Sequence, residues 1–279
     1  MMNPFNSTYN VSHSNIGVEA EIDRLKAQVE MSWEKEFRNL KWLGLSDGMK
    51  VLEVGCGPGF VTEKLVERLP QSNISALDID NNLLATAKQR LNKATNTNIE
   101  FIHASVYDTG LPEHEYDFVI ARLVFLHLYE PEKAALEIFR VLKPGGKFVI
   151  IDIDDGIFGV VEPKDDNFQS VIDKFIAIQG MAGGNREIGR SLPRLLKSTG
   201  FSNIEMDAIS VHSDLVGREG FKEQFNPKRF EAFYKFGYLS KSEFQSIDKA
   251  FENLMENPDS YALMFFLVAS GTKPVTVDD

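Results

Sequence analysis

Apolar positions along the chain change their period several times, and each change marks an element. Over 18–43, Ile22, Leu25, Val29, Trp33, Phe37 and Leu40 recur at helical spacing, the signature of an amphipathic helix with one buried face. The run Val51, Leu52, Glu53, Val54 reads as a strand that enters a glycine-rich turn, and a second helical pattern follows over 60–68. Further strands are predicted at 74–77, at 99–106 with its following loop, in the segment 111–120, and from the Pro144, Gly145, Gly146 turn to Asp152. Strands alternating with helices over 46–153 predict an α/β fold built on a parallel sheet. After Asp152 the spacing loosens. Helices are expected at 168–181 and 192–198, the second ended by Gly200, with a glycine loop at Gly183 and Gly184 between them. Alternation over 204–211 and 262–270 predicts two last strands.

Between those strands lies 214–259, where a closing hairpin needs only a few residues. The segment is rich in Phe and Tyr, among them Phe221, Phe225, Phe230, Phe233, Tyr234, Phe236, Tyr238, Phe244 and Phe251. It is expected to be a helical insertion that forms a lid or an oligomer contact, its aromatics mostly making a small core of their own. Three parts result: a loose arm at 1–15 and a cap helix, together 1–45; and a domain at 46–279 that carries the insertion.

The chemistry concentrates in Gly55-Cys56-Gly57-Pro58-Gly59. Glycines let the chain bend sharply and let a nucleotide-like ligand lie against bare backbone. The helix that follows points its N-terminal amides at such a ligand. A dinucleotide fingerprint requires a third glycine at the position of Phe60, for close helix packing. The spacing here is G-x-G-x-G instead. Asp78 ends the next strand and is placed to accept hydrogen bonds from ribose hydroxyls.

In combination, the glycine loop, Asp78, the 99–106 and 111–120 blocks and the 141–152 block resemble the class I, Rossmann-like family of S-adenosylmethionine-dependent methyltransferases, over residues 49–153. The resemblance implies a doubly wound, mostly parallel seven-stranded sheet with an antiparallel last strand. It implies S-adenosyl-L-methionine as cofactor. Glu53 and the loop residues Gly55, Cys56, Gly57 and Gly59 would hold its methionine part, Asp78 its ribose, and Ile79 would pack on its adenine. Ser105 stands where the family often carries Asp, which weakens one adenine contact, while the amide of Val106 still reaches the ring. Ala121 at the end of the fourth strand also belongs to the implied cofactor set. N-terminal helices of the family lie over the pocket, so Tyr9, Arg24 and Gln28 face the methionine carboxylate or the acceptor in this reading, with simple solvation of the helix as the alternative.

Composition narrows the function further. With 279 residues, 43% hydrophobic and 25% charged, the chain is an ordinary globular one, and a net charge of −11 disfavours nonspecific nucleic-acid binding. Its single cysteine, Cys56, permits no disulfide framework. The first fifteen residues lack a signal-peptide pattern and no apolar run is long enough for a membrane span, so a cytoplasmic protein is expected. No zinc-type Cys and His spacing occurs, so no metal is expected. Methyl transfer to a positioned acceptor requires a strong base only for acceptors that lose a proton early. Acceptor-side groups are expected at the carboxyl ends of the strands: Arg122 and His127 as catalytic candidates, and Asp152, Asp154 and Asp155, with a packed, hydrogen-bonded His127 and a solvated acidic loop as the alternatives. Arg122 is expected to meet a substrate group or Asp152 or Asp154. The leading reading is a small-molecule methyltransferase, with a homo-oligomer left open. A nicotinamide-dependent oxidoreductase and a non-catalytic sensor or assembly protein are the alternatives.

Overall fold

The structure is a computed structural model that describes residues 7–9, 11–14, 16–91, 98–157, 160–162 and 166–275. Of the expected loose arm, residues 1–6, 10 and 15 lie outside the described set. The first long element is α1 (Val18–Trp42), whose apolar face buries Val29, Trp33, Phe37 and Leu40. Burying side chains of this size stabilises by about 1.5–3 kcal/mol each, which fixes the helix on the body of the protein. Its N-terminal half packs on a later helix and its C-terminal half on a late strand, where Lys35 Nζ donates to the Ser210 carbonyl at 2.6 Å and Asn39 Nδ2 donates to Asp207.

A run of parallel strands follows: β1 (Lys50–Val54), β2 (Asn73–Asp78), β3 (Ile99–His103), β4 (Tyr116–Arg122) and β5 (Leu142–Asp152). They are connected through α2 (Phe60–Arg68), α3 (Asn81–Leu91) and α4 (Pro131–Val141). The first turn of α3 is capped by Asp80, whose Oδ1 accepts from the amide of Asn82 at 2.9 Å. The Pro144-Gly145-Gly146 segment does not precede β5 as a separate turn. It sits inside the strand as an irregularity, because Tyr116 pairs with Leu142 before it and Phe118 with Lys147 after it.

The chain then adds β6 (Val160–Glu162), α5 (Asp166–Met181), α6 (Leu192–Ser198), β7 (Ser202–His212), the helices α7 (Ser213–Val216), α8 (Arg218–Phe225), α9 (Glu231–Lys235) and α10 (Lys241–Glu256), and finally β8 (Tyr261–Thr272). Asp152 of β5 and Ala208 of β7 both pair with Leu267, so β8 runs antiparallel between them. The sheet order is β3-β2-β1-β4-β5-β8-β7, the expected doubly wound fold with an antiparallel last strand. The short β6 was not legible in the sequence. It pairs with Ala262 and Leu263 on the edge of β8 opposite β7, continuing the line of β5.

The 214–259 segment is helical. Phe221, Phe225 and Phe230 are buried, and Phe233, Phe244 and Phe251 pack around them. α10 begins with a capping box between Ser240 and Glu243 and buries Ile247 and Leu254. Phe236 and Tyr238 remain exposed.

Candidate functional site

The carboxyl ends of β1, β2 and β4 open into one cavity of about 1340 Å³, roofed by α1, by Ser7–Tyr9 of the arm, and by α5 and α8. At its sheet end the glycine loop has left-handed backbone at Gly55 and Gly57. A Cβ on Gly55 would strike Val124 Cγ2, whereas one on Gly57 would stand in open space at the cavity wall. The loop is held from below by Asp78. Its Oδ2 accepts from the Gly57 amide at 2.7 Å and its Oδ1 from the Asp80 amide at 2.8 Å. Burial raises the Asp78 pKa, and these amide bonds oppose the rise. The carboxylate keeps lone-pair capacity for a further donor.

Glu53 lies deeper, 3% exposed, and accepts from Thr62 Oγ1 at 2.6 Å. Desolvation pushes its carboxyl up to about 8; Thr62 opposes this and Asp78 adds to it. A cationic group in the cavity beside Glu53 and Asp78 would relieve both. Ile79, Ser105 and Val106 line the same end, with Ser105 Oγ already accepting from the Tyr107 amide at 3.2 Å. Cys56 also lines the wall; it is buried, and desolvation holds its thiol well above the ordinary range, so it is an inert filler there.

Two residues of the expected cofactor set do not line the cavity. Gly59 begins α2 with left-handed backbone, and a Cβ on it would lie 2.9 Å from Ala87 Cβ, so its work is the close packing of α3. Ala121 is fully buried within β4, paired with Val54.

Arg122 also meets a partner other than the expected ones. Its Nε donates to Glu36 Oε2 at 2.8 Å and its Nη2 to Glu36 Oε1 at 2.9 Å, with further bonds from Nη2 to Ser32 Oγ and the Gln28 carbonyl. The guanidinium thus clamps α1 to the end of β4. Asp152 is buried beneath the cavity floor, accepting from the Leu126 and Ile153 amides, and desolvation raises its pKa to about 7. Asp154 is taken by a bidentate bond from Arg190. Of the acidic trio only Asp155 reaches the cavity, where its Oδ2 pairs with Arg186.

The opposite end of the cavity is built from separated parts of the chain. Arg24 donates to both oxygens of Glu21, at 2.6 and 3.0 Å, and to Gln224 of α8 at 3.2 Å. Gln28 reaches the same Gln224 oxygen at 3.4 Å. Tyr9 donates to Glu21 at 3.1 Å, and its ring lies 5.2 Å from that of His127. His127 Nδ1 and Thr8 Oγ1 are 2.8 Å apart. Desolvation, then the charges of Arg186 and Arg24, press the imidazole down to about 3, so it is neutral at physiological pH. Ile172, Phe175, Phe225 and Phe230 supply apolar wall. Some of the insertion's aromatics therefore serve both its own core and the cavity. Glu21, Glu36, Arg186, Gln224 and Arg229 carried no recognisable local motif in the sequence; only the fold assembles them.

Among the described residues no group of His, Cys, Asp and Glu is placed to hold a metal ion, and no helix is long and apolar enough to cross a membrane. A doubly wound sheet with a glycine loop after β1 and an acidic residue ending β2 defines a nucleotide-cofactor fold. Residues 52–150 match the family described as "Methyltransferase domain". The matched segment includes the glycine loop and Asp78, and the sheet around it has the fold of the class I S-adenosylmethionine-dependent methyltransferases. The chain is 27% identical over 126 residues to demethylmenaquinone methyltransferase of Listeria welshimeri, covering 45% of this chain and 52% of that one. Over 111 residues it is 32% identical to malonyl-acyl-carrier-protein O-methyltransferase of a Paenibacillus species, covering 39% and 40%. The chain thus spans about half the length, or less, of these curated relatives. In fold it is similar to phosphoethanolamine N-methyltransferase 2 of Haemonchus contortus in complex with S-adenosyl-L-methionine, with a TM-score of 0.60, 19% identity, and coverage of 95% and 58%.

Proposed function

We propose that the protein transfers a methyl group from S-adenosylmethionine to a small-molecule acceptor. The observation that carries this reading is the continuous cavity that joins the glycine loop and Asp78 to the space under α1, α5 and α8. When bound, the cofactor supplies a sulfonium-activated, electrophilic methyl carbon. Asp78 is suited to ribose hydroxyls, Glu53 to a cationic group, and the bare Gly57 backbone to close approach. Ile79 and Val106 offer apolar surface to a purine. The spacing at Phe60 speaks against a nicotinamide dinucleotide. Its ring fills the place of the third glycine and carries the Arg90 guanidinium 3.9 Å from its centroid.

What the chain contributes to the reaction is orientation and exclusion of water, the two effects that account for most acceleration in a displacement with a preactivated carbon. The arm, α1, α5 and α8 act as the lid in this reading. His127, neutral and bonded to Thr8, positions the arm and the acceptor rather than serving as a strong base. Arg122 acts through α1, by fixing the roof. Of the curated relatives, the one named for demethylmenaquinone supports a small acceptor. The reading places the enzyme in the cytoplasm, supported by one cysteine and no disulfide. Incubation with methyl-labelled cofactor and a metabolite extract tests it: label in a low-molecular-weight product is expected, and label confined to protein or nucleic acid would overturn it.

A further inference from the structure

The two ends of the cavity differ in charge. Glu53, Asp78 and Asp80 line the glycine-loop end. At the lid end the described lining residues set the guanidiniums of Arg24, Arg186 and Arg229 against the carboxylates of Glu21 and Asp155, leaving an excess of positive charge. Glu21 is committed to Arg24 and Tyr9, and Asp155 Oδ2 to Arg186. Arg229 enters from the short helical turn Pro227–Phe230 and donates to the Gln224 carbonyl. The second oxygen of Asp155 is buried and has no hydrogen-bond partner among the described residues. A buried carboxylate oxygen in that state is costly unless a ligand donates to it.

Resting on the small-molecule reading above, we infer that this end is an acceptor subsite for an anion. Arg186 and Arg229 hold a carboxylate or phosphate of the acceptor, Asp155 Oδ1 accepts from a hydroxyl or amine of the same molecule, and Phe175, Phe225 and Phe230 pack on its apolar body. The forked donors of a guanidinium match a pair of oxygens on a carboxylate or a phosphate. The electrostatics agree with the geometry. Burial, then the charges of Arg24 and Arg186, lower the Arg229 pKa to about 9, so the group remains charged at neutral pH but in a field that an anion would relieve. His127 feels the same field from Arg186 and Arg24.

The test is calorimetric binding to protein saturated with S-adenosylhomocysteine. The probes are 3-phenyllactate, its neutral amide, 3-phenylpropionate, which lacks the hydroxyl, and phenyl phosphate, which exchanges one anion for the other. Phenyllactate is expected to bind at least about tenfold tighter than its amide, the scale of a charge-assisted hydrogen bond, and several-fold tighter than phenylpropionate. Tighter binding of phenyl phosphate than of phenylpropionate would assign a phosphate to the same arginines. Arg229→Gln should reduce the acid-to-amide ratio to about threefold or less, and Arg229→Lys should restore it. An amide bound as well as the acids, an undiminished ratio in Arg229→Gln, or no anion bound at all would each overturn the inference. Those outcomes leave the small-molecule reading standing. It fails separately, if label from the cofactor reaches only macromolecules.

Discussion

Replacing Arg122 with Met would leave the Glu36 carboxylate, 1% exposed, in the roof of the cavity with Ser32 as its remaining side-chain donor. The lost interactions are the bidentate pair at 2.8 and 2.9 Å and the bonds to Ser32 and the Gln28 carbonyl. Breaking a buried ion pair from one side costs about 3–5 kcal/mol, because an unpaired charge remains in a poorly solvated place. At roughly 2–4 °C per kcal/mol for a domain of this class, the melting temperature should fall by about 6–20 °C. Removing both partners is different. The double variant Arg122→Met, Glu36→Leu exchanges the pair for apolar side chains and should recover most of the loss. Urea unfolding of both single variants and the double one, without cofactor, measures the cycle. The reasoning is refuted if Arg122→Met unfolds within about 1 kcal/mol of the parent and loses only turnover, for then the guanidinium serves the acceptor and not α1.

Asp78→Ala should weaken S-adenosylhomocysteine binding by about 1.5–3 kcal/mol, roughly ten- to hundredfold in Kd by calorimetry; unchanged affinity in a folded variant would place the ribose elsewhere. Glu53 is held protonated by burial, with its pKa raised from 4.5 to about 8. Its contribution to stability is therefore fully present below about 4.5 and lost as pH rises through about 8. Glu53→Gln without cofactor should melt progressively higher than the parent from pH 6 to pH 9, and a difference that is flat with pH would contradict the burial argument. His127 behaves in the opposite sense, because its folded pKa is depressed from 6.5 to about 3. The stability it contributes is present above about 6.5 and is lost as pH falls toward 3. His127→Asn should show a shallower decline in melting temperature between pH 6.5 and 4, and identical slopes would show that the imidazole is solvated.

The cofactor end was legible because its chemistry is local. A strand, a glycine turn and a helix occupy consecutive residues, and Asp78 follows at the end of the next strand, so 52–78 carries its own pattern. The N-terminal helix and most strand positions were equally readable from their periods. Gly59 looked like its neighbours in sequence. Its contact with Ala87 belongs to the packing of α3, which no spacing within the loop reveals. The partner of Arg122 is hidden in the sequence for a similar reason. Asp152 and Asp154 share its sheet edge, but Asp152 is turned onto backbone amides and Asp154 is taken by Arg190, while Glu36 arrives from a helix far away in sequence. The lid end was least legible. Arg24, Asp155, Arg186 and Arg229 come from four segments, and only the crossing of α1 and α8 over the sheet brings them to one cavity.

The central claim is that this cavity is built for the sulfonium cofactor and not for a dinucleotide. Titrating the intact protein with S-adenosylhomocysteine and, separately, with NAD in a calorimeter tests it most directly. Saturation at one S-adenosylhomocysteine per chain with no measurable NAD binding is the predicted result. Stoichiometric NAD binding with S-adenosylhomocysteine ignored would contradict it.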